Sequence, residues 1–534
     1  MFNVPTAPIH KLEQEVLYHI FLFNANLFNH DDRRLPRDSP LRALTTTRYT
    51  SQVCRKWRSI FLNSSMLWAR LIDLDLLQQK QDHWRNEIMR RSGGTAPFWI
   101  RNTRLAFVEE MPARVEDFLL RLLDDFWDRV QNIEIFVEDW RNLVAKRPQL
   151  CLRPAPSLSM FIVEMSTYQG DSVLPPTTPA LRLFADDAPS IKEFCAPRIP
   201  VDLQAPWLSR LRKFTMFMPH DRKALFNALA TMSALEEFEV STPENSVVDL
   251  ANEAPFVYEG KIQLPRLKLL GVQHSLQMCL AFVDCIVPEP GCSLFLDAIF
   301  SSVSPLTPGL ISKAAESPSI FQYFSSYLEC HHPETEFHFR IRNGSRTMEL
   351  FNLTESKEHL FSFNITCEDA SLGISDLLPS LLSRFRSEPS ISTHLNHLKK
   401  LALQLYISAI RGPLLEFLSS FSSVEFLRAD ILSIQTYSQT ALDNRDFTLL
   451  FPHLTTLAVE VHANRTYTGE EILAIVLIFL FQHRRLGGEV KTIDVTACPQ
   501  ISELDIGLFI KVNRETSLSK VIWMKDGQVI ESDC

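Results

Sequence analysis

Val490-Lys491-Thr492-Ile493-Asp494-Val495-Thr496-Ala497-Cys498-Pro499-Gln500-Ile501 is the stretch on which the fold turns. Its apolar residues follow a template, apolar-x-x-apolar-x-apolar, on Val490, Ile493 and Val495. The two-residue step from Ile493 to Val495 suits a strand with one buried face. Cys498 stands where the chain turns off that strand. The same template starts at Val130, Leu158, Ile191, Leu211, Leu235, Leu267, Leu398, Val424 and Leu454. In a chain that is 46% hydrophobic, one match carries almost no information. The spacing carries more. Successive starts lie 28, 33, 20, 24 and 32 residues apart and, after a gap, 26, 30 and 36.

These spacings fall around the ~20–29-residue period of leucine-rich repeats, with longer members. Pro156, Pro189, Pro265 and Pro452 each precede a start by two residues, where proline sets a strand boundary. Helical patterns separate the strands. Lys223–Met232 places Leu225, Leu229 and Met232 on one face, and Pro413–Phe421 groups Leu414, Leu418 and Phe421. Glu470–Arg484 is apolar on its inner side and beyond, the pattern of a deeply buried helix. One strand with one helix cannot bury its own apolar face, but stacked units can, giving a curved solenoid with strands on its concave side. Residues 275–395 fit the template poorly. There Ser293–Leu296, Phe337–Ile341 and Phe361–Ile365 read as strands, and Asn343-Gly344 as a turn that makes a hairpin or an insertion.

The N-terminus has a different texture. Leu12, Val16, Ile20 and Phe23 share a helical stripe, widened by Leu17 and Phe21, which predicts a helix over Lys11–Phe23. A polar loop follows, from Asn24 through Asn29 and Asp31 to Pro36. Ser39-Pro40 marks the start of a second helix running through Leu41 and Leu44 toward Thr50. A third spans Val53–Leu62, with Val53, Trp57 and Ile60 at helical spacing and Arg55, Lys56 and Arg58 on the other sides. Ser65-Met66-Leu67-Trp68 adds a second tryptophan anchor. Three short helices make a marginal core, since scaffolds below ~70–80 residues usually need external support.

These residues resemble an F-box, in particular the F-box proteins abundant in mushroom-forming fungi. The resemblance rests on Leu12-x-x-Glu15-Val16-Leu17-x-x-Ile20-Phe21, on Val53-Cys54-Arg55-x-Trp57-Arg58, and on Leu67-Trp68. Trp84-x-x-Glu87-Ile88-x-Arg90-Arg91-Ser92-Gly93 looks like the segment that follows the box. The chain has Leu12-Glu13 where the family usually has Leu-Pro. The resemblance implies a substrate-recognition subunit of a Skp–cullin–F-box ubiquitin ligase, non-catalytic itself. The Skp-type adaptor would meet Leu12, Glu15, Val16, Leu17, Ile20, Phe21, Val53, Cys54, Trp57 and Trp68, and would link the chain to a cullin–RING ligase. The expected fold class is α/β, a short helical F-box module followed by an irregular leucine-rich-repeat-like solenoid. Residues 1–75 would form the module, 76–128 a connecting helical segment, and 129–534 the solenoid, divergent near 275–395. The alternative is a non-catalytic repeat scaffold for protein–protein interaction, whose box-like helices cap the solenoid.

Bulk properties narrow the remaining classes. The chain has 534 residues, beyond the ~250–300 at which single cores stop growing. A net charge of −9 and a pI near 6.0 argue against a sequence-independent nucleic-acid binder. The ten cysteines contain no C-x-x-C pair, and no secretory leader is visible after Met1. The longest apolar run, Ile472 to Phe481, is far short of the ~20 residues of a membrane span. The expected compartment is cytoplasmic or nuclear, which makes the Asn-x-Ser/Thr sites such as Asn352-Leu353-Thr354 chance matches. Phosphate-cradling and nucleophile-elbow motifs are absent from the sequence, and no cofactor is expected. In the candidate metal stretch Cys330–His338, the residues His332, Glu334, Glu336 and His338 would share a strand face, but no spacing matches a closed site. The 37 phenylalanines against 9 tyrosines favour core over a polar recognition surface.

Overall fold

The computed structural model describes residues 12–28, 39–102, 111–137, 152–165, 181–242, 256, 258–300, 317–331, 336–342, 347–353, 361–367, 374–407, 410, 412–444, 447–461, 467–512, 518–525 and 527–533. The chain is α/β and divides into two compact units, residues 1–240 and 241–534. The expected boundaries at 75 and 128 both fall inside the first unit. The His332-x-Glu334 half of the metal stretch, the Asn343-Gly344 turn and the loop around Asn29–Pro36 lie outside the described residues.

The first unit opens with helices α1 (Gln14–Asn24), α2 (Ala43–Thr50), α3 (Arg55–Asn63) and α4 (Ser65–Ala69). The second helix starts later than Ser39-Pro40 suggested. Arg42 is extended, held by buried carboxylates, so the helix begins at Ala43, and the Ser39 hydroxyl instead accepts from the Leu41 N–H at 3.3 Å. Strands β1 (Ile72–Asp73), β2 (Phe98–Arg101), β3 (Val130–Val137), β4 (Met160–Met165), β5 (Glu193–Cys195) and β6 (Lys213–Phe217) then pair in chain order, all parallel. Helix α5 (His83–Arg91) links β1 to β2, and α6 (Ala113–Phe126) links β2 to β3. Helix α7 (Arg222–Leu229) leads to β7 (Glu237–Ser241).

The sequence template has a direct structural meaning. For every start except Val130, the strand begins two residues later, and every residue at the first, fourth and sixth positions is buried. The second position carries a main-chain ladder. In the first unit Ser159 N–H donates to Gln131, Lys192 to Ser159, Arg212 to Lys192 and Glu236 to Arg212, at 2.7–2.8 Å. The fourth position stacks phenylalanines: Phe161 on Phe194 at 5.6 Å, Phe194 near Phe214 at 6.1 Å and Phe214 near Phe238 at 5.8 Å. This row takes four of the 37 phenylalanines.

In the second unit β8 (Ile262–Leu264) pairs only with β10 (Ile286–Pro288) among the described residues. Its main sheet runs β9 (Leu269–His274), β11 (Ser293–Phe300), β14 (Phe361–Cys367), β13 (Thr347–Leu353), β12 (Glu336–Arg342), β15 (Lys400–Tyr406), β16 (Phe426–Asp430), β17 (Thr456–Glu460), β18 (Thr492–Ala497), β19 (Lys520–Lys525) and β20 (Gln528–Asp533). All pairs are parallel except those of β13 and the final β19–β20 pair. The divergent stretch is therefore an antiparallel meander, β12–β13–β14, set into a parallel sheet with its chain order reversed. The same ladder resumes after it, Glu425 N–H to Lys399, Thr455 to Glu425 and Lys491 to Thr455.

Helices α8 (Leu276–Cys285), α9 (Pro318–Cys330), α10 (Ile374–Ser387), α11 (Pro389–His397), α12 (Gly412–Ser419), α13 (Ile431–Asp443), α14 (Gly469–Arg485) and α15 (Glu503–Val512) complete the second unit. Their aromatic side chains meet one sheet face, as with Phe324 against Phe337 and Phe361, and Phe417 against Phe339. Helix α14 is not sealed all round, as its apolar run suggested: Ile478 and Phe481 face outward. Among the described residues no helix is long and apolar enough to cross a membrane.

Candidate functional site

The wide apolar face of α1 is used on one side only. Leu17, Phe21 and Ala25, spaced by four, are buried. Phe21 stacks on Phe61 at 4.4 Å and meets the Trp57 ring edge-on at 5.1 Å, which joins α1 to α3. Lys56 Nζ adds a hydrogen bond to the Leu12 carbonyl at 3.0 Å. The neighbouring stripe points to solvent. Val16 is 45% exposed, Ile20 40% and Phe23 78%, while Val53, just ahead of α3, is 60% exposed. Leu41, Tyr49 and Leu62 are also exposed on this small module, as are the charged Arg55, Lys56 and Arg58. Sealing a large aliphatic or aromatic side chain is worth ~1.5–3 kcal/mol, so this surface favours a partner that covers it.

The candidate residues thus separate. Val16, Ile20 and Val53 face outward, Glu15 is exposed, and Leu12, Cys54 and Trp57 are half-buried. Trp57 Nε1 is enclosed with no hydrogen-bond partner among the described residues. Leu17, Phe21 and Trp68 belong to the interior. Trp68 is 1% exposed, and its Nε1 donates to the Phe61 carbonyl at 2.7 Å. It holds the module together and offers no anchor to another chain without opening it. Phe23, Leu41, Tyr49 and Leu62 were not among the candidates. Phe23 had a usable signal, since it lies seven residues after Val16 on the same stripe.

The segment from Trp84 to Gly93 staples this module. The Glu87 carboxylate receives Arg90 Nε and Nη2, both at 2.7 Å, and Arg91 Nε at 2.6 Å, and these guanidiniums hold it down at about 2. Arg91 also lies over the Trp68 ring at 4.5 Å, and Trp84 meets that ring edge-on at 6.1 Å. Buried Arg85 donates to the carbonyls of Leu77 at 2.5 Å and Gln79 at 3.0 Å. The module is joined to the strands as well. Arg42 reaches Asp73 and Asp75, Arg101 donates to the Leu27 carbonyl, and Phe28 packs on Trp99 at 5.5 Å.

The described ligand types of the candidate metal stretch have other neighbours. Glu336 faces Arg428 at 2.9 Å, and His338 stacks on Phe351 at 4.7 Å. Among the described residues no group of three or more His, Cys, Asp or Glu could hold a metal ion. Burial pushes the thiols of Cys279, Cys292 and Cys498 up to about 12, so they stay protonated.

No protein-family model matches the sequence, and no curated protein matches it.

Proposed function

We propose that the chain is a substrate-recognition subunit that docks on a Skp-type adaptor through α1 and α3 and holds a protein substrate on a leucine-rich-repeat-like solenoid. One observation carries this reading: Val16, Ile20 and Phe23 along α1, and Val53 just ahead of α3, are large apolar side chains left exposed, on a module whose buried half is already packed. A cap serving only the sheet would have no use for that second stripe. The ordered parallel strands with their repeated second-position ladder support the solenoid half. Catalysis would belong to partner subunits, in a cytoplasmic or nuclear setting.

Co-purification of the full chain with a Skp-type adaptor tests it. Ile20→Asp with Val53→Asp places two charges in the surface and is expected to abolish capture while thermal unfolding stays unchanged. Undiminished capture would remove those residues from the interface.

A second reading has its own support. Trp68 and Phe61 are sealed, and Arg42 and Arg101 tie the helices to β1 and β2. These contacts favour a module that caps the first strands of a scaffold, since the first repeat of an array would otherwise expose an apolar face. The two readings coexist in geometry, because capping uses Arg42, Arg101 and Phe28 while docking uses the outer stripe of α1.

A further inference from the structure

We propose that the sheet face of the second unit opposite its helices, between β9 and β18, binds an extended basic segment of a protein partner. This deepens the substrate half of the proposed function and makes no use of the N-terminal helices.

Strand alternation sets the geometry. Phe337, Phe339 and Ile341 turn toward the helices, so Glu336, His338 and Arg340 turn the other way. In register with Arg340 lie Gln404, Glu349, Asn364, Asp297 and Gln273. In register with His338 lie Phe351, Ala402, Arg428, Ala458 and Asp494.

Negative charge is in excess on this face. Among its described side chains, Asp297, Glu336, Glu349, Glu460 and Asp494 stand against Arg340, Arg428 and Lys400 at the rim. Both guanidiniums are already engaged, Arg340 with Glu349 at 3.4 Å and Arg428 with Glu336 at 2.9 Å and Glu460 at 3.5 Å. Asp297 takes a neutral donor, Gln273 Nε2 at 3.0 Å. Burial pushes its carboxyl up, and Glu349 pushes it further. Burial also pushes Glu336 up, with Glu460 opposing the relief that Arg428 gives. An arriving cation would relieve both.

His338 supplies an independent sign. It is 5% exposed, and its Nδ1 is enclosed with no hydrogen-bond partner among the described residues. Phe351 stacks on one side of it and carries the Arg340 guanidinium at 4.6 Å. Burial and the two guanidiniums hold the imidazole down at about 4, so it is neutral near pH 7. A neutral ring nitrogen in the floor with surplus carboxylates around it suits a chain bringing cations and main-chain N–H groups together.

Spacing favours an extended chain. Asp297 and Glu349 are two strands apart, ~10 Å at ~4.8 Å per strand, which about three extended residues span.

The test uses the full chain and a fluorescein-labelled peptide with lysine at every third residue among glycine and serine, read by anisotropy. The same peptide with glutamate for lysine is the control. The lysine peptide is expected to bind and to weaken as salt is raised. Asp297→Asn with Glu349→Gln should weaken it about fivefold or more, the upper range for a single exposed charge pair, and His338→Leu should weaken it further. If the first pair of substitutions perturbs folding, seen by circular dichroism, Glu460→Gln with Asp494→Asn gives the same reading. Equal binding of the two peptides, or binding indifferent to the carboxylates, overturns the proposal. The Ile20→Asp/Val53→Asp chain should bind the peptide normally, so loss of adaptor capture leaves this inference standing. Loss of peptide binding in that chain would place the peptide on the N-terminal helices and overturn it.

Discussion

Arg42 Nη2 lies 2.9 Å from Asp73 Oδ2, with both side chains sealed from water. Asp75 joins them at 3.0 Å, and Asp73 Oδ1 also accepts the Asp75 N–H at 3.1 Å. The pair fixes the entry of α2 against β1, so it sets where the helical module sits on the first strands. Removing one partner leaves a buried charge without its counterpart, which costs ~3–5 kcal/mol. Arg42→Ala is therefore expected to lower the urea unfolding free energy by about that much. A loss below ~1 kcal/mol would mean that water reaches the site.

The two stripes of α1 should separate in stability measurements. Leu17→Ala and Phe21→Ala remove packed side chains and are expected to cost ~2–5 kcal/mol each. Val16→Ala and Ile20→Ala, on the exposed stripe, should stay within ~0.5 kcal/mol of the parent. Thermal melts of the four variants check this. Equal losses across all four would show that the outer stripe is covered by the chain itself.

Periodicity revealed the full width of that apolar face but could not say which half is buried, because Val16 and Ile20 are as apolar as Leu17 and Phe21. The choice is tertiary, made by the rings of Trp57 and Phe61 on α3. Trp68 misled for a related reason, since an indole suits an interface and a core equally until its N–H finds a partner, here the Phe61 carbonyl. The strand template was legible because a buried parallel strand demands apolar residues wherever the ladder repeats. One occurrence went unread: Leu518-x-x-Val521-x-Trp523 begins 28 residues after Val490 and forms β19. A three-residue extension was also there to find. Ala155, Ala188, Leu208, Met232, Leu264, Leu395, Phe421 and Phe451 each precede a start by three residues and accept its N–H in a tight turn. β13 had no such signal, because it is antiparallel and lies within the reversed meander.

Cysteine reactivity should follow burial. Cys330 is exposed, whereas Cys279, Cys292 and Cys498 are buried with thiols raised to about 12. Brief alkylation of the native chain at pH 8, followed by peptide mapping, is expected to label Cys330 at least tenfold faster than those three, because burial both blocks the reagent and keeps their thiols protonated. Comparable labelling before denaturation would show that the second unit opens locally.

Acid should weaken the second unit through a histidine that its core keeps neutral. His483 is buried, stacks on Phe479 at 5.4 Å, and among the described residues has no hydrogen-bond partner on either ring nitrogen. Gly488 packs so closely that a Cβ there would lie 2.2 Å from His483 Nε2, so the ring cannot swing out toward that side. Burial holds the imidazole down from 6.5 to about 4. Between those values the unfolded chain takes up a proton that the folded chain refuses, so stability rises with pH across that window. The stability is fully present above about 6.5 and is lost as pH falls toward about 4. His338, held down in the same way, adds a slope of the same sign. One such proton corresponds to ~1.4 kcal/mol per pH unit. His483→Leu keeps the volume and removes the proton site. Melting temperatures measured from pH 7 to pH 4 should therefore fall less steeply in that variant than in the parent. An unchanged slope would mean that the imidazole already titrates normally in the folded chain.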